Sequence, residues 1–310
     1  MSERNGDETP LVSAILITHN RRDLVQKAIE SVLRQSYAAM ELIVVDDASS
    51  DGTKELLEAR ATQDGFRYLY IPASQSRGGN HARNVGLQAA RGAYLAFLDD
   101  DDEWLPEKTA KQAAFLNEHP DYGVVSCLRI FEKNFSERVC ERPEDQIEGD
   151  IRSAVFTKIH FVTSTLMLRR EVFDACGAFD EALRFWQEYE LSIRYAQVTK
   201  VGCVREHLCL YRILLTDKNR LTNRLDGWMD AVAYIEDKHS ALLAALPPEI
   251  RRAHKEMIAR DGLNRAETGR DYRRARRFYW MLFQARPSAR NLVKALLGLR
   301  AISFFKSLRA

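Results

Sequence analysis

The sequence contains no run approaching the ~18–20 consecutive apolar residues that a membrane-spanning helix requires, so no segment is expected to cross a bilayer. Its first ten residues, MSERNGDETP, are polar and lack the apolar stretch of a secretory signal. Cysteine is scarce: the five residues Cys127, Cys140, Cys176, Cys203 and Cys209 are odd in number, widely spaced, and include no CxxC pair. That pattern excludes a disulfide scaffold and a zinc site, and it predicts reduced thiols in the cytoplasm. No GxxxxGK[ST] is present, which excludes a P-loop enzyme, and no internal repeat stands out.

What is present is ordinary globular material, with 45% hydrophobic and 29% charged residues over 310 positions, enough for one large or two modest domains. The net charge of +2 conceals a split. Residues 251–310 hold 16 Lys+Arg against 4 Asp+Glu, whereas the first 250 hold 30 against 40. An acidic body therefore precedes a basic tail.

The first hundred residues alternate between short apolar runs and helical spacing. Val12–Thr18, Leu42–Val45, Tyr68–Ile71 and Tyr94–Leu98 read as buried strands; Asp23–Gln35, Thr53–Ala61 and Ala82–Ala90 read as the helices between them. Such alternation predicts an α/β fold with a mainly parallel sheet. In these sheets ligands sit beyond the carboxyl ends of the strands. Three strands run into polar residues there: Thr18-His19-Asn20, Asp46-Asp47 and Asp99-Asp100-Asp101-Asp102. Four adjacent aspartates repel one another, and a bound cation is the usual remedy. Further on, Tyr122–Phe131, Val162–Leu168 and Leu208–Ile213 read as strands, Trp186–Tyr195 as a helix, and Glu190 with Arg194 as an i,i+4 surface pair. From about residue 216 the pattern is helical only, which sets the expected organisation: a leader at 1–10, a body at 11–215 divided near residue 102, and a basic helical region at 216–310.

The stretches VSAILITHNR (12–21), AIESVLRQSY (28–37), ELIVVDDASSDGT (41–53), ARNVGL (82–87), RGAYLAFLDDDDEWLPEKT (91–109), GAFDEAL (177–183) and WQEYELSIR (186–194) occur together and in this order. The chain thereby resembles the family 2 glycosyltransferases of bacterial, inverting type with the GT-A fold, over roughly residues 10–215. The resemblance implies a Rossmann-like nucleotide-diphospho-sugar transferase with a mixed sheet, here carrying a C-terminal helical extension. It also implies a nucleotide-sugar donor, a divalent metal (Mn²⁺ or Mg²⁺), and an inverting transfer to an acceptor hydroxyl. Asp47 matches the family's base-reading aspartate, whose carboxylate suits the imide N–H of uracil, so a UDP-sugar is the expected donor. His19, between Thr18 and Asn20 on the donor rim, falls where the family often stacks a ring on the base; a solvated histidine is the alternative. Arg83 matches the arginine of the family's ARN motif and suits diphosphate oxygens. Asp99 and Asp101 match the DxD-type motif, with Asp101 the metal contact and Asp99 nearer the sugar or ribose; Asp100 is counted with the donor-binding residues, with a bystander role as its alternative, as for Asp102. Glu188 stands in place of the family's general-base aspartate. This is a departure, because the base is one methylene longer and its neighbour is the amide Gln187. A second departure follows Tyr211-Arg212, where no histidine appears to complete a metal site.

The implied acceptor is a glycan or a lipid-linked saccharide in surface-polysaccharide assembly. Residues 288–309 contain two short amphipathic faces flanked by Arg290, Lys294, Arg300 and Lys306, which suit the surface of an anionic membrane, packing on the body, or a homodimer contact. The expected location is the cytoplasm, peripheral on the inner membrane face. No nucleic-acid fold signature accompanies the basic tail. The rival to a transferase is a nucleotide-sugar-binding protein without transfer activity.

Overall fold

The computed structural model describes residues 9–159, 161–214, 225–289 and 291–296. They fall into two compact units. The first comprises 9–151, 161–182 and 194–214; the second comprises 152–159, 183–193, 225–289 and 291–296.

The first unit is built on β1 (Val12–Thr18), α1 (Arg22–Leu33), β2 (Met40–Asp47), α2 (Thr53–Asp64), β3 (Arg67–Ile71), α3 (Gly79–Ala89) and β4 (Tyr94–Asp99). The expected alternation is present, with β1, β2 and β4 buried almost throughout because they lie inside the sheet. It continues through β5 (Glu103–Trp104), α4 (Lys108–Glu118), β6 (Tyr122–Lys133), β7 (Glu137–Cys140), β8 (Met167–Arg169), α5 (Arg170–Cys176), the latter part of α6 (Gln187–Val198) and β9 (Lys200–Ile213). The sheet order is β3-β2-β1-β4-β8-β6-β9-β5, with β7 as a hairpin partner of β6. The β3-β2-β1-β4 half is parallel, and β8 runs antiparallel to β4. Its core clusters around Val12, Leu16, Val44, Ala96 and Leu98, with Val25 and Ile29 of α1 packed against them.

Two expectations are corrected here. Val162–Leu168 is not one strand: Thr163–Thr165 forms a 3₁₀ turn and only Met167–Arg169 joins the sheet. The hydroxyls explain this, since Thr165 Oγ1 bonds the Val162 carbonyl and Ser164 Oγ bonds Asp102, which divert the segment from the ladder. Glu190 does not lie on the surface: it is fully buried and accepts from Lys238 Nζ at 2.9 Å, while Arg194 donates to the carbonyls of Cys176 and Ala178.

The second unit gathers α7 (Leu225–Lys238), α8 (Ser240–Ala245), α9 (Pro248–Thr268) and α10 (Tyr272–Ala285), together with a 3₁₀ turn at Ala154–Thr157 and the start of α6. Pro248 opens α9 at a position where its missing N–H costs nothing. Asp271 caps α10 by accepting from the Arg274 backbone N–H at 3.0 Å. α9 and α10 approach closely because Gly262 lies under the Phe278 ring, leaving no room for a Cβ. Among the described residues no helix is long and apolar enough to cross a membrane. Most of the 288–309 segment read as membrane-facing (Arg290 and everything from residue 297 on) lies outside the described residues.

Candidate functional site

The parallel registers bring distant polar residues to one rim of the first unit. Thr18 pairs with Asp46 across β1 and β2, and Ile17 with Asp99 across β1 and β4, so the three strand ends finish level. The loop after β1 is tied to the loop after β2. Asn20, at φ 52°, takes the left-handed conformation that Asn tolerates. Its amide N–H donates to Ser49 Oγ at 2.8 Å, and its Oδ1 accepts from the Ser50 N–H at 2.7 Å. His19 Nδ1 donates to the Asp47 carbonyl, and its Nε2 accepts from Asn20 Nδ2 at 2.9 Å. The two bonds fix the orientation of the ring, with Nδ1 as donor and Nε2 as acceptor. The ring is held by both edges and exposed.

Asp46 and Asp47 divide the labour at the end of β2. Asp46 is fully buried and structural, accepting from the Ser49 N–H at 2.9 Å and from Tyr68 Oη at 3.1 Å. Burial, and then the Asp46 charge, push the Tyr68 phenol up, so it remains a donor. Asp47 Oδ2 accepts from the Gly78 N–H at 3.1 Å, whereas its buried Oδ1 has no partner among the described residues. Gly78 reaches this position at φ 94° and ψ −177°, a region essentially confined to glycine. An ionised carboxylate oxygen left bare and buried is costly, and a ligand N–H would satisfy it.

Arg83, from the buried face of α3, donates to Asp99 Oδ1 at 2.5 Å and lies over the Phe179 ring at 5.4 Å. Its neighbour Asn84 fixes this arrangement by bonding both the carbonyl and the N–H of Phe179, at 2.9 and 3.0 Å. The GAFDEAL stretch is thus docked on α3 by the Asn that follows Arg83.

Beyond β4 the four aspartates form a turn, with the Asp102 N–H donating to the Asp99 carbonyl at 3.1 Å. Their environments differ. Asp102, 1% exposed, is an anchor: it accepts from Ser164 Oγ at 2.5 Å and from the Arg212 N–H at 2.9 Å. Asp100 is buried and accepts from Thr18 Oγ1 at 2.7 Å. Asp101 is the more open, and one guanidinium nitrogen of Arg21 bridges it (2.8 Å) to Asp100 (2.9 Å). Burial pushes the Asp100 carboxyl up to about 7; Arg21 opposes that rise and the Asp101 charge adds to it. Burial likewise raises Asp101, against the pull of Arg21 and with the push of Asp99.

Two contributors were not foreseen from the sequence. Arg21 supplies positive charge inside the aspartate turn. Its only sequence signal is its place, three residues beyond a strand end, and its partner lies 79 positions away. Arg212 holds the turn from behind: its guanidinium donates to Glu132 (2.8 Å), Glu103 (2.5 Å) and the Asp101 carbonyl (3.4 Å). The first unit therefore brings together Thr18, His19, Asn20, Asp47, Arg83, Asp99, Asp100 and Asp101 on the rim of β1, β2 and β4. Glu188 belongs to the second unit, in the first turn of α6, where its Oε1 accepts from Gln187 Nε2 at 3.0 Å. Among the described residues no three His, Cys, Asp or Glu side chains gather as a metal cage. The donor set that does exist is of hard carboxylate oxygens, Asp101 with Asp99, which suits a cation that completes its shell with water and phosphate oxygens.

Comparison with known proteins identifies the family and the fold. The family model described as Glycosyl transferase family 2 matches residues 13–177. The chain is 33% identical over 232 residues to the Campylobacter jejuni GalNAc(5)-diNAcBac-PP-undecaprenol β-1,3-glucosyltransferase, covering 73% of this chain and 72% of that protein. It is 37% identical over 106 residues to the Escherichia coli UDP-Glc:α-D-GlcNAc-diphosphoundecaprenol β-1,3-glucosyltransferase WfaP, covering 34% of this chain and 41% of WfaP. Among solved structures it is similar to S. aureus TarS 1–349 in complex with UDP-GlcNAc, with a TM-score of 0.62 at 16% identity, covering 89% of this chain and 82% of that one.

Proposed function

The chain belongs to glycosyl transferase family 2, and from that premise we propose that it moves a hexose, with inversion and with a divalent cation, from a UDP-sugar to a hydroxyl of a lipid-linked saccharide in surface-polysaccharide assembly. The observation that carries the donor half is the bare, buried Oδ1 of Asp47 beside the exposed, edge-held ring of His19. A uracil stacked on His19 would present its N3–H to that oxygen. Arg83 faces the diphosphate from α3, and in doing so exchanges part of its bond with Asp99 for phosphate oxygens. Thr18, Asn20 and Asp100 hold the two loops and the aspartate turn in register around the nucleotide.

Asp101, with Asp99 beside it, is the residue that would hold Mn²⁺ or Mg²⁺; a bound cation would neutralise charge on the departing nucleoside diphosphate. Arg21 occupies the electrostatic role of that cation when none is bound, which keeps the adjacent carboxylates of buried Asp100 and half-buried Asp101 tolerable at neutral pH. Glu188 is the proposed general base, taking the proton of the acceptor hydroxyl as its oxygen attacks the anomeric carbon. It keeps the family position within WQEYELSIR and lies in a first helical turn. The acceptor class follows from the two relatives named above, both of which act on undecaprenol-diphosphate-linked saccharides.

The test is a panel of nucleotide sugars with Mn²⁺, scored by thermal stabilisation and by slow donor hydrolysis. UDP-sugars should both stabilise the chain and be hydrolysed, with hydrolysis lost in Asp101→Ala. Stabilisation without hydrolysis across the whole panel would instead make the protein a nucleotide-sugar binder.

A further inference from the structure

The second unit contains a groove of about 990 Å³ that the donor chemistry does not use. Three helices present same-face stripes to it: Trp228, Met229, Val232 and Glu236 from α7, Arg251, Arg252, Lys255 and Ile258 from α9, and Arg277, Phe278 and Met281 from α10. The floor is apolar, since Trp228, Val232, Ile258 and Phe278 are all buried. The indole N–H of Trp228 has no acceptor among the described residues.

The rim is cationic. Elsewhere on α9 and α10 three arginines are paired with carboxylates, Arg260 with Glu256, Arg265 with Asp261 and Arg274 with Asp226. Among the described residues Arg251, Arg252, Lys255 and Arg277 have no carboxylate partner, although all four converge on the groove. The single rim acid, Glu236, is engaged with His254 Nε2 at 3.2 Å. A merely solvated helix face would not need an apolar trough between its cations, and a merely apolar docking face would not need four unpaired cations. Both features together match an anionic amphiphile, with arginine forks for phosphate oxygens and a greasy channel for the attached chain.

We propose that this groove binds the isoprenoid-diphosphate portion of the acceptor, the diphosphate between the rim cations and the first isoprene units along the Trp228–Phe278 floor. The volume lies at the upper end of small-molecule sites, roughly 300–1,000 Å³, which suits a diphosphate with a few isoprene units and leaves the rest of a long chain outside. The proposal rests on the lipid-linked acceptor of the preceding reading.

The experiment titrates the full chain with farnesyl diphosphate, following intrinsic tryptophan fluorescence. Farnesol, inorganic diphosphate and phosphatidylglycerol vesicles are run in parallel, and saturating UDP is added as a competitor. Farnesyl diphosphate should bind at least about tenfold more tightly than farnesol or inorganic diphosphate and should persist under UDP. Reversal of two rim charges, Arg251→Glu with Arg277→Glu, should weaken it about tenfold or more, while the control Arg260→Glu with Arg273→Glu should not. All four substituted residues are exposed, so the variants should fold, and retained melting temperature checks this.

Displacement by UDP would assign the diphosphate to the donor rim and overturn the proposal. Equal losses in the rim variant and the control would reduce the effect to bulk charge and also overturn it. Vesicle binding with the same dependence on Arg251 and Arg277 but no affinity for farnesyl diphosphate would make the groove a membrane contact, and a monomer–dimer change on rim reversal would make it a self-association face. Donor hydrolysis of the unmodified chain is scored separately. Hydrolysis without farnesyl diphosphate binding sinks the groove alone; binding without hydrolysis sinks the transferase reading alone.

Discussion

The donor rim and the helical groove handle charge in opposite ways. On the rim, cations are committed internally: Arg83 to Asp99, Arg21 to Asp100 and Asp101, Arg212 to Glu132 and Glu103. In the groove, four cations stand over an apolar floor with no carboxylate partner among the described residues. The rim is therefore pre-organised, its carboxylates held in place before any ligand arrives and one oxygen, Asp47 Oδ1, left bare. The groove is complementary to something the described chain does not supply. A transferase needs both kinds of site, one that stabilises developing charge at fixed positions and one that captures a mobile amphiphile.

The largest effect that would break this contrast lies on the rim. Asp101→Ala should lower transfer by about 10³-fold, comparable to removing one fixed electrostatic contact from a transition state; a loss below tenfold would show that Asp101 does not act on the transition state. Asp47→Asn comes next. It presents an amide where an anionic acceptor stood, and should raise the donor KM about 10- to 100-fold while kcat changes little, because the base is bound alike in ground and transition states. An equal fall in kcat would instead place Asp47 at the chemistry.

A smaller effect concerns the cost of burying the aspartate turn. The folded Asp100 carboxyl sits at about 7, above the ordinary aspartate value, so the folded state holds more protons than the unfolded one between about pH 4 and 7. Stability from this group is thus full at low pH and is lost as pH rises through 7. In the presence of EDTA, Asp100→Asn should match the parent chain in melting temperature at about pH 4 and exceed it at pH 8, by a few degrees. A parent chain equally stable relative to the variant at both pH values would contradict the burial account. The smallest expected change is Ser164→Ala, which removes one bond from the Asp102 anchor and should cost about 1 kcal/mol of stability. Its readout is the melting temperature together with the Mn²⁺ concentration needed for half-maximal hydrolysis, which should rise as the turn loosens.

The parallel half of the sheet was legible because β1, β2 and β4 are buried on both faces and so carry continuous apolar runs that no surface requirement interrupts. The rim followed from the same logic, since parallel strands of equal register must end together. What was hidden depended on long-range partners. Glu190 looked like a surface residue because the residues that make its burial tolerable, Lys238 and His239, lie about fifty positions on, at the end of α7 and the turn after it. Val162–Leu168 looked like a strand because its apolar ends mask Ser164 and Thr165, whose hydroxyls instead bind the turn at Asp102 and the local backbone. Arg21 and Arg212 carried no local sign of what they bind, and their roles exist only once the turn after β4 meets the loop after β1 and the end of β9.

The central claim is that one rim binds uridine diphosphate and a divalent cation jointly, through separate residues. Calorimetric titration of UDP, with and without Mn²⁺, on the parent chain, Asp47→Asn and Asp101→Ala tests it most directly. The account predicts that Mn²⁺ tightens UDP about tenfold or more in the parent and in Asp47→Asn but not in Asp101→Ala, and that preference for UDP over GDP is lost only in Asp47→Asn. UDP binding indifferent to Mn²⁺ in the parent chain, or unchanged by either substitution, would contradict it.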